Sequence, residues 1–175
     1  MAKQMYDNSC GANALMHAAI ELGVKSFSDG ELLIDSPLTE TKIYKQIGNG
    51  NPGTDVKNLQ YSFPAKIVGF ARTFNLNPAI YMQSGVYKEV LTKFYPGAVQ
   101  DCTGAGCAPN LGAPPQLTGN QREMQVMAVL GLLGLHWVLK RPNGSYRDPG
   151  DGKDYENYQA LSKMYSFTGI SVVLG

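Results

Sequence analysis

Histidine and cysteine are scarce in this chain, with two of the first and three of the second in 175 residues. Three cysteines cannot all pair, so a disulfide framework is excluded and at least one thiol is free. One-sided charge is missing too. The formal net charge is +1 and no block of Lys or Arg occurs, so electrostatics give no ground for a nucleic-acid partner or a membrane surface. The longest apolar stretch, Val126 to Leu135, is too short to cross a bilayer as a helix, and no membrane insertion is expected. No signal-peptide pattern stands at the N-terminus. A chain of this length can bury a substantial core without disulfides or metal, which makes one domain the expectation.

Helical signals come first. Ser9 is placed to cap a helix in which Ala12, Leu15, Met16, Ala19, Ile20 and Leu22 recur at helical spacing, with Gly23 as its stop. Ser36-Pro37 leads into a short helix around Glu40 to Ile47, and Gly48 to Gly53 reads as a loop. Thr54 or Asp55 could cap a helix through about Ala71, broken or interrupted by Pro64. Pro78 to Met82 reads as a strand and Val86 to Tyr95 as a helix. From Gly97 to Gly119 the residues are small or rich in Gly and Pro, the signature of a long functional or mobile loop, such as a lid. Strands follow over Met124–Leu130, Leu133–Lys140, Ser145–Arg147 and Gly169–Leu174, with Asn143-Gly144 marking a hairpin. Helices followed by an antiparallel sheet define an α+β class.

Within that order a few residues carry chemistry. Cys10-Gly11 opens the first helix, and Gln4 lies six positions upstream. A helix N-terminus favours a thiolate through its unpaired N–H groups and macrodipole. A side-chain amide one short loop away can return beside the sulfur and, with the cysteine's own N–H, donate to a developing oxyanion. Taken singly, Cys10 also reads as a buried helix cysteine and Gln4 as an exposed polar residue. His17 is seven residues beyond Cys10 on the same helix, roughly 10 Å along the axis, too far to take its proton; it reads as a packed or surface residue. That leaves His136, either a core histidine or a general base oriented by Asp148 across the hairpin. Asp151 and Asp154 are alternatives for the orienting role, and Asp148 also suits a turn. Pro149 should end the strand and expose the Asp148 carboxylate at the sheet edge. Cys102 and Cys107 are close enough to bridge a loop or to stand as plain thiols. A metal site would need two further ligands, and neither histidine is near.

Gln4, Cys10-Gly11 and the block His136-Trp137-Val138-Leu139 with Tyr146-Arg147-Asp148-Pro149 together resemble papain-like cysteine peptidases. The order Cys, His, Asp and the long separation of Cys10 from His136 look closest to the bacterial double-glycine (bacteriocin-processing) branch. The resemblance covers most of the chain and implies a single papain-like catalytic domain over residues 1–175, complete or excised from a longer protein. Its nucleophile would stand at the start of the central helix, which packs on an antiparallel sheet. It implies Cys10 as nucleophile, His136 as base, Asp148 as orienter and Gln4 as oxyanion donor, with no cofactor and no metal. The implied reaction is hydrolysis of a peptide bond in a protein or peptide, as in a bacterial toxin, effector or processing enzyme with a possible cognate inhibitor or immunity protein. The same groups serve glutamine deamidation or acyl transfer, and an inactive peptide-binding module is a third reading. A reduced Cys10 favours a reducing compartment. One departure stands out: Gly11 occupies the place of an aromatic residue in plant and animal papains.

Overall fold

Pro37 and Pro64 begin helices rather than ending them. In the computed structural model, which describes residues 3–83 and 87–175, helix α1 spans Cys10–Glu21 and its first ten residues are all buried. Gly11, Ala12, Ala14, Ala18 and Ala19 keep it thin enough for α2 and the sheet to close on it. Helix α2 spans Pro37–Ile47, longer than expected, because Ser36 accepts from Thr39 N–H and Pro37 takes the first turn, where its missing N–H has no cost. The helix expected from Thr54 or Asp55 to about Ala71, interrupted at Pro64, forms only in its second part. Asp55 caps only a 3-10 turn, Val56–Asn58, and α3 starts afresh at Pro64 and runs to Thr73. Helix α4 covers Tyr87–Lys93; Val86, its expected first residue, lies outside the described residues.

The Gly97–Gly119 segment is not an unstructured lid. It holds helix α5, Ala98–Gly104, and the short strand β2, Asn110–Leu111. Ala98, Cys102, Cys107 and Leu117 are buried, and the Arg72 guanidinium ties down the carbonyls of Ala105 and Gly106. Cys102 and Cys107 are both free thiols.

The other strands are β1 (Ala79–Met82), β3 (Arg122–Val129), β4 (Gly134–Lys140), β5 (Tyr146–Asp148), β6 (Lys153–Tyr155) and β7 (Tyr165–Leu174). They form a seven-stranded sheet ordered β2-β1-β7-β3-β4-β5-β6. Every pairing is antiparallel except β1 with β2, so the α+β expectation holds with one parallel strand at an edge. Alternation decides the faces. Met124, Val126, Leu135, Trp137, Leu139, Ile170 and Val172 join the helices in the main core. Met127, Val138 and Tyr146 form a smaller cluster with Leu161 of helix α6 (Tyr158–Leu161).

Register matters most in the β4–β5 hairpin, where Leu139 pairs with Arg147 and Lys140 with Tyr146. Arg141 N–H donates to Ser145 (2.9 Å), and Gly144, at φ 84°, donates back to the Arg141 carbonyl (3.0 Å). The turn therefore has three residues, Pro142 to Gly144, with glycine where the left-handed conformation is needed. A two-residue turn would slip the pairing by one and send His136 and Asp148 to opposite faces. The observed register puts them on one face as diagonal neighbours.

The far end of α1 is held by charge. Glu21 accepts from Arg122 Nε (2.6 Å) and Arg141 Nε (2.9 Å), and Arg141 also reaches Asp154 (3.2 Å). His17 packs inside, its Nε2 3.6 Å from Asp35. Burial, followed by the positive charge of Arg147, lowers its pKa to about 4. Between pH 6.5 and 4 the unfolded chain therefore takes up a proton that the folded chain refuses, and stability falls as the pH drops through that window. Glu21 acts in the same direction below it: burial raises its pKa, but the bonds to Arg141 and Arg122 outweigh that and lower it. Thermal melts followed by circular dichroism should show Tm falling steadily from pH 6.5 to 4, with a shallower slope in His17→Gln.

Candidate active site

Cys10 sits where the hairpin ladder opens. Arg141 with Ser145 is a hydrogen-bonded pair, so Leu139 with Arg147 and then Trp137 with Pro149 are the next such positions. Proline has no N–H to contribute, and β5 stops at Asp148. The Trp137 N–H and the Pro149 carbonyl, which would bond each other if the ladder continued, are both taken by the N-terminal segment. Trp137 N–H donates to Cys10 Sγ (3.4 Å), and the Pro149 carbonyl accepts from Gln4 N–H (2.8 Å). The sulfur thus lies at the sheet's open seam, at the first residue of α1, with the residue only 1% exposed.

His136 and Asp148 complete the group. His136 Nε2 and Asp148 Oδ1 are 2.5 Å apart, and the imidazole also interacts with the Cys10 sulfur. Burial alone would push the imidazole pKa down, but hydrogen bonds to Asp148 and Cys10, and their charges, hold it well above its ordinary value. Burial likewise works against the Asp148 carboxylate; the His136 bond and charge and the Gly150 N–H (2.7 Å to Oδ1) outweigh it and keep the pKa low. Tyr165 stacks on the imidazole, ring centroids 5.0 Å apart and planes 25° from parallel. Its phenol acts on the same carboxylate without a well-aligned bond, so Oδ2 has no hydrogen-bond partner among the described residues. Contrary to expectation, Asp148 is not exposed at an edge. β6 covers β5, and the carboxylate is buried.

The alternatives for the orienting role are engaged elsewhere. Asp151 holds Tyr155 OH (2.7 Å) and Lys153 N–H (2.9 Å), and Asp154 holds Arg141. Gln4 is at the site through its backbone, but both protons of its side-chain amide go to the carbonyls of Tyr6 (2.8 Å) and Asp7 (2.9 Å). Ser9 is the N-cap by position and makes no side-chain cap. Its hydroxyl lies 2.5 Å from Glu40 Oε1. Among the described residues no group of His, Cys, Asp and Glu could hold a metal ion.

Two contacts were not readable from the sequence. A Cβ on Gly11 would stand 2.9 Å from Ser62 Cβ and 3.2 Å from Trp137 Cδ1. Trp137, whose Nε1 donates to the Ser62 carbonyl (3.2 Å), therefore fills the space beside Gly11, which gives a physical reason for a glycine there. Gly150, in what reads as a turn, presses on the His–Asp pair: a Cβ would lie 3.0 Å from Asp148 Oδ1 and 3.3 Å from His136 Cε1. The register sets Gly150 directly across from His136, and only the correct turn length would have revealed it.

A sulfur at a helix start, beside an imidazole that a carboxylate holds, places the molecule among papain-like cysteine proteases. Comparison with known proteins narrows this. A family model described as "Invasion plasmid antigen J, cysteine protease" matches residues 2–175, and the chain belongs to that IpaJ family. It is 38% identical over 202 aligned residues to the cysteine protease IpaJ of Shigella flexneri, covering 98% of this chain and 76% of that protein. These matches lend no support to the double-glycine branch, and no solved structure matches the chain.

Gly11→Ala should overpack the helix–sheet seam and cost roughly 1–3 kcal/mol in urea unfolding. Gly150→Ala should leave Tm nearly unchanged yet slow modification of Cys10 by iodoacetamide, because the added methyl displaces the imidazole.

Proposed function

We propose that this protease cleaves a peptide bond in a protein substrate through Cys10, His136 and Asp148 and an acyl-enzyme. Carrying the proposal is the His136–Asp148 pair at 2.5 Å, with the imidazole interacting with the Cys10 sulfur. A cationic imidazole and the α1 N-terminus both favour sulfur as thiolate. The thiolate attacks the substrate carbonyl carbon, and the carbonyl oxygen becomes an oxyanion beside the first-turn amides of α1. Gln4 adds a donor by releasing one of its two backbone carbonyls. As the tetrahedral species collapses, His136 passes its proton to the leaving nitrogen, the C–N bond breaks and a thioester remains. Water then attacks the thioester, His136 takes a proton from it, and the acid and the thiolate are released. Asp148 keeps the imidazole in one orientation throughout. Kinship with an invasion plasmid antigen of Shigella flexneri supports a bacterial effector setting.

Intact-mass spectrometry after a brief iodoacetamide pulse, across pH 5 to 9, tests the Cys–His pair. Burial pushes the Cys102 thiol up to about 12, the Cys107 thiol donates to the Pro78 carbonyl (3.4 Å), and it is Cys10 that has an imidazole beside it, so one label is expected, on Cys10. Labelling should be rapid well below pH 8 and slow in His136→Ala. An ordinary thiol pH profile in both proteins would sink the mechanism. Against a peptide library, Cys10→Ala should show no cleavage, and Gln4→Ala should lose up to ~10²–10³ in turnover.

A further inference from the structure

We infer that Tyr165 of β7 is a positioning residue for His136, whose ring face holds the imidazole in place and favours its cationic form. The inference rests on the thiolate mechanism proposed above. Register alone does not make this contact. β7 and β4 flank β3, so Tyr165 starts about 10 Å from the strand that carries His136. The pairing sets Tyr165 opposite Val129 and Phe167 opposite Met127, and it is Met127 that lies across from His136. Phe167 is therefore in the same row as the imidazole. Yet it is Tyr165 that leans over β3 and lays its ring on the imidazole, with centroids 5.0 Å apart and planes 25° from parallel.

Two contacts fix the ring there. Its face covers the imidazole, and its hydroxyl acts on the Asp148 carboxylate. That carboxylate has an acceptor to spare, since Oδ2 is buried without a hydrogen-bond partner among the described residues. Burial, followed by the charge of Asp148, keeps the phenol un-ionised well above its ordinary range. The other titratable groups around this face are Cys10 of α1, Asp151, Tyr155 of β6 and Tyr158 of α6. Asp151 is tied to Tyr155 and Lys153, and β3 presents the uncharged Met127 and Val129. His136 is buried, so an imidazolium there has little water to stabilise it. An aromatic face is electron-rich and attracts a cation most strongly where water is excluded. Neutral imidazole gains no such attraction. The ring thus favours the proton that His136 must hold until the leaving nitrogen takes it, and its bulk opposes rotation of the imidazole away from Asp148.

Nuclear magnetic resonance titration of the histidine Cε1–H groups reads the charge on His136 directly. The Cys10→Ala chain suits the measurement, because the sulfur no longer raises the imidazole pKa. His17, lowered to about 4, stays neutral through the titration and serves as the reference. In that background Tyr165→Leu should lower the His136 pKa by about half a unit or more, as for a lost cation–π contact. Tyr165→Phe keeps the ring and should stay within about 0.3 units of its parent. Tyr165→Met fills similar space without an aromatic face and should behave as Tyr165→Leu; it carries the test if Tyr165→Leu does not fold. An unchanged pKa in the Leu and Met variants, or an equal fall in Tyr165→Phe, would overturn the proposal, since a ring that merely packs predicts no dependence on its aromatic face. The same titration on wild type separates the underlying mechanism. An equal His136 pKa with and without Cys10 would overturn the thiolate–imidazolium pair itself and leave the comparison of Tyr165 variants readable.

Discussion

The site depends on a ladder that stops one pair early. β5 ends at Asp148, so the Trp137 N–H and the Pro149 C=O, which would bond each other if the ladder went one pair further, are left to other partners. Buried backbone groups of that kind must find partners, and the N-terminal segment supplies both: the Cys10 sulfur for the amide, the Gln4 amide for the carbonyl. The Cys10 sulfur is therefore joined to the strand that carries His136 by the same directional bonding that holds the sheet together. The imidazole follows without further adjustment, because it precedes Trp137 by one residue and shares a face with Asp148.

Helix α1 is held at both ends by charge and in the middle by close packing. At its start Glu40 gathers Met5, Ser9 and Asn13; at its end Glu21 gathers Arg122 and Arg141. Between them the small residues of α1 bring the helix close to β4, close enough that Gly11 leaves no room for a side chain beside Ser62 and Trp137. Exposed ion pairs contribute little to stability, but these pairs lie where the helix must not slide. A displacement of α1 by a fraction of a turn would take the sulfur out of reach of both Trp137 N–H and His136.

Much of this was legible because the reactive residue types are rare. With two histidines, one of them seven positions from the cysteine on the same helix, His136 remained as the candidate base and the hairpin offered Asp148 as its candidate partner; the structure brings these two side chains to 2.5 Å. Other features were hidden for physical reasons. A single glutamate on an amphipathic helix looks the same whether it faces water or the interior, so Glu40 gave no signal. Ser9 has the right identity and position for a cap, but its backbone, at φ −89° and ψ 10°, is not in the extended conformation a capping side chain needs. Pro64 was read as an interruption because the extended segment before it carries no glycine or proline to end the previous element. The Gly97–Gly119 stretch looked unstructured by composition, yet the buried Ala98, Cys102 and Cys107 fold it onto the sheet side of α3.

The strand order carries a consequence in time. β7 follows every other strand in sequence yet lies between β1 and β3, so until it is made the sheet is two separate pieces. A chain emerging from the ribosome can form α1 and the β4–β5 hairpin early, but the surface on which they are aligned closes only when β7 inserts. Non-local pairings of this kind form late and slowly. The order of synthesis therefore separates the parts in time: Cys10 and His136 are made before the strand that completes the sheet beneath them, and a product cut short of β7 lacks that strand.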